Sequence, residues 1–72
     1  MFVKLRGAPS GEMLVLRAEN IDQLLEVKIG VDYDAQGVAT RELPVTCVCM
    51  SDGRQFYVLD TLTDVLKLAS VP

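Results

Sequence analysis

Polar and apolar positions alternate most cleanly over residues 25–33, LEVKIGVDY, where Leu25, Val27, Ile29, Val31 and Tyr33 point one way and Glu26, Lys28, Gly30 and Asp32 the other. A period of two sustained this long predicts a strand with one wet face. Two shorter β-rich runs, 2–6 (FVKLR) and 12–18 (EMLVLRA), flank GAPSG, a segment dense in Gly, Pro and Ser. Together they predict a hairpin closed by a five-residue loop. Residues 19–24, ENIDQL, are too short for a stable helix and do not alternate, so they predict a single helical turn or a wide corner. Residues 34–43, DAQGVATREL, carry no usable period and read as the longest connection.

Pro44 opens the next strand, Val45 to Met50, at a position where a missing N–H does least damage. Ser51-Asp52-Gly53-Arg54 supplies a turn, because Asp-Gly accepts the positive φ angles of a two-residue type I′ loop. That loop places Cys49 opposite Phe56 and Cys47 opposite Val58 on one face. Met50 with Gln55, Val48 with Tyr57, and Thr46 with Leu59 then share the other. The chain closes with a change of period: Leu62, Val65, Leu66 and Ala69 recur at helical spacing, and Thr61-x-x-Asp64 reads as a capping box within TLTDVLKLAS.

These elements predict an α+β fold: a small, twisted antiparallel β-sheet of about five strands, with one C-terminal helix packed on one face, in a single domain over residues 1–72. The Cys47, Cys49, Phe56, Val58 face lacks polar residues except near its ends and is the expected core. The opposite face, carrying Thr46, Val48, Met50, Tyr57 and Leu59, is the expected oligomer interface.

Composition sharpens this expectation. Half of the 72 residues are apolar, yet only four are aromatic and none is Trp. A chain this short buries only about 60% of the surface its unfolded form exposes. Part of the apolar load is therefore expected to face another chain. The net charge is -3, and the seven cations, Lys4, Arg6, Arg17, Lys28, Arg41, Arg54 and Lys67, are scattered along the sequence. Phosphate neutralisation needs grouped Lys and Arg, so no nucleic-acid partner is expected. The apolar runs fall far below the roughly 18 residues that span a bilayer, so no membrane is expected either. MFVKLRG lacks a secretory apolar region and two cysteines make no disulfide framework, which points to a reducing cytoplasm.

Three constellations carry candidate chemistry. Cys47 and Cys49 stand at i and i+2 of a strand, where Cα atoms lie roughly 6.6 Å apart and the Cβ bonds run parallel, so a disulfide between them is strained. They supply two of the usual four zinc ligands, and the chain has no His. Only a second copy of the strand completes such a site; as packing residues, the pair are small buried hydrophobes. Asp32-Tyr-Asp34-Ala-Gln36-Gly37 resembles the opening of a calcium loop, but Leu43 stands where the bidentate Glu belongs and Glu42 comes one residue early. An acidic solvated turn accounts for it. Glu19 with Asp22, and Asp60 with Asp64, are the carboxylate pairs open to acid–base work, and helix-start and corner roles explain them more simply. No catalytic motif appears, and no cofactor or enzymatic activity is expected.

LVLRAENIDQLLEV followed by VTCVCMSDGRQFYVLDTLTDVLKL resembles the small flagellar FlbD/SwrD family. Asn20-Ile21-Asp22, Asp52-Gly53-Arg54, Tyr57-Val58 and Thr61 to Leu66 carry the likeness, over about residues 12–68. GAPSGE replaces that family's tight Asn-Gly turn, and the connection at 34–43 is longer. The resemblance implies the β-rich layout with a capped terminal helix, and no more. The function expected from the residues is a non-enzymatic, homo-oligomerising protein-interaction module. Its rival is a small-ligand or metal-responsive binding protein using an inter-subunit cleft or the 32–37 loop.

Overall fold

The computed structural model describes residues 1–69, so Ser70 of the expected helical segment lies outside the described residues. Five antiparallel strands and one helix follow in the order β1 (Phe2–Arg6), β2 (Met13–Arg17), β3 (Ile21–Tyr33), β4 (Ala39–Met50), β5 (Gln55–Val58) and α1 (Leu62–Ala69), with a 3-10 turn, Ala18–Asn20, between β2 and β3. This is the small α+β fold the pattern predicts. β1 and β2 form one ribbon, and β3, β4 and β5 form a three-stranded sheet in that order, with β3 outermost. The two are stitched where β1 ends: Leu59 N–H donates to the Arg6 carbonyl (2.7 Å) and Ala8 N–H to the Tyr57 carbonyl (2.9 Å), around a bridge between Gly7 and Val58.

The core lies between ribbon, sheet and helix. Val3 and Leu5 of β1 and Leu16 of β2 alternate with exposed Phe2, Lys4, Arg6, Val15 and Arg17, which is period two with one face inward. They meet Val48, Met50, Val58 and Val65 in one cluster, with Phe56 and Leu24 packed at its margin. Thr46 is buried there too; its hydroxyl donates to the Asp60 carbonyl at 2.8 Å, which removes the penalty of an orphaned polar group. The same residue's carboxylate accepts the Arg6 N–H at 2.7 Å. Asp60 thereby ties the start of the helical segment to both β4 and β1.

The β4–β5 pairing differs from expectation by one residue. Thr46 stands opposite Val58, Cys47 opposite Tyr57, Val48 opposite Phe56 and Cys49 opposite Gln55. The cause is the turn. Met50 and Arg54 close a three-residue loop, with Met50 N–H donating to the Arg54 carbonyl (2.8 Å) and Gly53 N–H to the Met50 carbonyl (3.0 Å). Gly53 alone in that loop takes a positive φ, 93°, so the loop is not type I′. Asp52 holds it: its carboxylate accepts the Arg54 backbone N–H (3.0 Å) and pairs with the Arg54 Nε (2.7 Å). Those contacts, the backbone one first, hold its carboxyl below the usual range.

One extra loop residue exchanges the faces. Thr46, Val48 and Met50, expected at an oligomer interface, are 1%, 0% and 6% exposed in the chain's own core. Cys47 and Cys49, expected in that core, lie on the opposite face with Tyr57. Phe56 and Val58 keep their inward placement.

The segment 34–43 also differs. Its second half is strand, because β4 begins at Ala39 and pairs with β3 from Tyr33 back to Ile21, leaving only 34–38 as the turn. Pro44 is tolerated inside β4 because β5 reaches only as far as Thr46, so no ladder runs on that side of it. The result is a long two-stranded arm, which gives the molecule its 47 × 21 × 19 Å extents.

Helix α1 begins as predicted. Thr61 Oγ1 accepts the Asp64 N–H at 3.1 Å, and Val65 is fully buried beneath. Thr61→Ala is expected to lower stability by about 1 kcal/mol in urea denaturation followed by circular dichroism, the usual cost of losing such a cap.

Candidate interaction surface

The face of the sheet away from α1 is apolar along its middle, with Arg41 at one end and Gln23 and Gln55 flanking Cys49 at the other. β3 contributes Leu25, Val27, Ile29 and Val31, and the register sets Cys47, Val45, Leu43 and Arg41 directly opposite them. Tyr57 of β5 stands beside Cys47. Val31, Val45 and Cys47 within this array are buried, while Leu25 and Tyr57 are 41% and 43% exposed. None of these belongs to the main core cluster. Pro9 and Leu59 border the array and close an open groove of about 560 Å³ over Ile29, Val31 and Leu43.

The other face of the arm is polar. Glu26 and Lys28 project there, opposite Thr46 and Pro44. A second groove, about 450 Å³, runs between them and the start of α1 at Thr61 and Leu62. The helix thus covers only the sheet face that carries Val48.

Tyr33 departs from the alternation that predicted its place beside Val31. Asp32 takes φ 57°, a left-handed conformation that turns the next side chain over. The Tyr33 hydroxyl then folds back and donates to the Gly30 carbonyl at 3.0 Å. A Cβ on Gly30 would stand 2.7 Å from that of Ala39, so glycine is required where the two strands press together.

The acidic loop is occupied by its own turn chemistry. Asp34 Oδ1 accepts the N–H groups of Gln36 and Val38, both at 2.9 Å, and Asp32 pairs with Arg41 at 3.1 Å. Among the described residues, no three or more His, Cys, Asp or Glu side chains gather in a way that would hold a metal ion. The carboxylate pairs are likewise engaged separately. Glu19 binds the N-terminal ammonium, a hydrogen bond that holds its carboxyl below the usual range, and Asp60 accepts the Arg6 N–H.

Cys47 and Cys49 are free, with their sulfurs 3.8 Å apart. Burial, and then the neighbouring thiol, pushes the Cys47 pKa up, which suits that thiol poorly to nucleophilic work. The fold also gathers cations that are scattered in sequence. Lys4, Arg6 and Arg17 share the outer face of the β1–β2 ribbon, where the Arg17 guanidinium lies 5.7 Å from the Phe2 ring centre.

Comparison with family models, curated proteins and solved structures finds no match. The residues themselves therefore carry the functional reading. Sequence reasoning missed the apolar array because Leu43 and Val45 were assigned to different elements, and only the β3–β4 register sets them opposite Ile29 and Val27. The signal was present in the clean alternation of 25–31, which demanded an apolar partner for one face. Among the described residues, no helix is long and apolar enough to cross a membrane.

Proposed function

We propose that the protein is a non-enzymatic interaction module that self-associates through the sheet face carrying Leu25, Val27, Ile29, Leu43, Val45 and Tyr57. One observation supports this above the others: among the described residues the helix covers the opposite face of the sheet, while this apolar face lies apart from the main core and leaves Leu25 and Tyr57 half-exposed. The largest apolar patch on a small soluble protein is often its functional one.

Six strand rises give the array a length of about 20 Å, and β3 with β4 give it a width of about 10 Å, since β5 pairs only as far as Thr46. Each copy thus offers on the order of 200 Å², which places a face-to-face pair among weak, transient interfaces. Shape favours a second copy over an unrelated protein, because a flat, twisted sheet face packs on its own like across a two-fold axis.

Light scattering coupled to size exclusion, run from one to several hundred micromolar, tests the proposal. The mass is expected to rise from one chain toward two, and more readily at high salt, which screens repulsion between copies that each carry -3. A constant single-chain mass across that range rejects self-association and leaves a partner of different sequence as the occupant.

A further inference from the structure

The outer face of the β1–β2 ribbon repeats one arrangement three times. The register sets Phe2 opposite Arg17, Lys4 opposite Val15 and Arg6 opposite Met13, so each rung carries one cation and one large apolar side chain. All six are exposed, Phe2, Met13 and Val15 by 64%, 69% and 53%. The core takes only the inward side of the ribbon, through Val3, Leu5 and Leu16. Among the described residues, none of the three cations pairs with a carboxylate. The acids nearest in the chain are engaged elsewhere: Glu19 binds the N-terminal ammonium, Asp60 accepts the Arg6 backbone N–H, and the Glu12 side chain lies against Gly7.

We propose that this face docks on the surface of an anionic lipid bilayer. The contact is separate from self-association, which uses the β3–β4 face. Charge complementarity favours a bilayer, because anionic headgroups lie directly above the first acyl methylenes, and a face that mixes cations with apolar side chains meets both layers at once. Phe2 and Met13 enter below the headgroups. The long apolar stems of Lys4, Arg6 and Arg17 let their charges stay at the phosphates. Either contribution alone gives marginal attachment, and the two together give a reversible but useful one. At physiological salt only charges within about 8 Å of the contact act on it, so the net charge of -3 over the whole chain does not decide the outcome.

Two other polyanions fit this face less well. A nucleic-acid strand needs open aromatic faces on which bases stack, and the one ring here, Phe2, already has the Arg17 guanidinium 5.7 Å from its centre. An acidic peptide is held in a groove, and neither groove described above reaches these six residues.

The experiment mixes the full chain with vesicles of phosphatidylcholine containing about 30% phosphatidylserine, or of phosphatidylcholine alone, and reads binding by co-sedimentation. Each cation at an anionic surface is worth roughly fivefold in affinity, so the three together are expected to favour the anionic vesicles about a hundredfold. High salt is expected to release the chain. Lys4→Glu combined with Arg17→Glu is expected to weaken binding at least about twentyfold with the circular dichroism spectrum unchanged, since both positions are exposed. The chain has no Trp, so Phe2→Trp places its only indole at the contact, and the emission is expected to shift to the blue on anionic vesicles.

Equal binding to both kinds of vesicle, or binding that survives the double reversal, overturns the proposal. Binding with unshifted emission overturns it too, because adsorption by charge alone leaves the apolar side chains in water. Capture of poly-glutamate or a single-stranded oligonucleotide, with no vesicle binding, assigns the face to that polyanion and rejects the bilayer.

Discussion

Val48→Asp is expected to abolish cooperative folding, whereas Tyr57→Asp is expected to leave the thermal midpoint nearly unchanged when both are compared at low micromolar concentration. Val48 has no exposure and touches the cluster built from Val3, Leu5, Leu16, Met50, Val58 and Val65. An unpaired carboxylate there costs several kcal/mol. A chain of 72 residues has a total stability of roughly 4–11 kcal/mol, so that cost is comparable with the whole. The milder Val48→Ala, which only deletes buried methyl groups, is expected to cost about 2 kcal/mol and keep a measurable urea transition. Tyr57 is 43% exposed on the other side of the sheet, where a carboxylate stays hydrated. Should Tyr57→Asp unfold the chain and Val48→Asp spare it, the β4–β5 register described above is wrong by one residue.

Ile29→Lys is expected to leave the fold intact and weaken self-association by about ten- to a hundredfold in sedimentation equilibrium. Ile29 sits mid-array on β3, opposite Leu43, and is only half-buried in the single chain. Full burial of an aliphatic side chain contributes about 1.5–3 kcal/mol, and each 1.4 kcal/mol is tenfold in a dissociation constant. A two-fold contact presents the same position twice, so two ammonium groups are desolvated together. Lys28→Ala, one residue along on the polar face, is the control expected to change the dissociation constant less than about twofold, since its side chain points away from the contact. Equal effects from both substitutions would show that net charge, not the apolar face, governs association.

The helix and much of the strand content were legible in the sequence because those segments carry their own period, whereas residues 21–24 and 39–43, which do not alternate, joined β3 and β4 all the same. The alternation of 25–31 and the spacing of Leu62, Val65 and Ala69 both became the elements they predict, and Thr61 caps α1 through the bond its spacing implies. What the sequence hid was one residue of loop length. Asp-Gly is shared by the two-residue type I′ loop and the three-residue loop that places Gly in the left-handed region. The choice fell to the Asp52 carboxylate, which takes the Arg54 N–H and fixes the longer form. Because strand faces alternate residue by residue, that choice moved Thr46, Val48 and Met50 inward and the thiols outward. The candidate surface was half legible: Leu25, Val27 and Ile29 stood out, while Leu43 and Val45 acquired their place only through pairing. A lone Asp32 in a left-handed conformation, which displaced Tyr33, leaves no mark in a hydropathy pattern.

The position of β3 as the outermost strand has a consequence for behaviour at high concentration. Thirteen residues of extended backbone end the sheet on that side, and such a margin is a template onto which further chains can add. A closed pair joined face to face leaves both margins open, so growth into a ribbon stays geometrically available. Asp22, Glu26, Lys28 and Asp32, spaced along the strand, interrupt its apolar residues with charge, and this is how natural edge strands resist fibre formation.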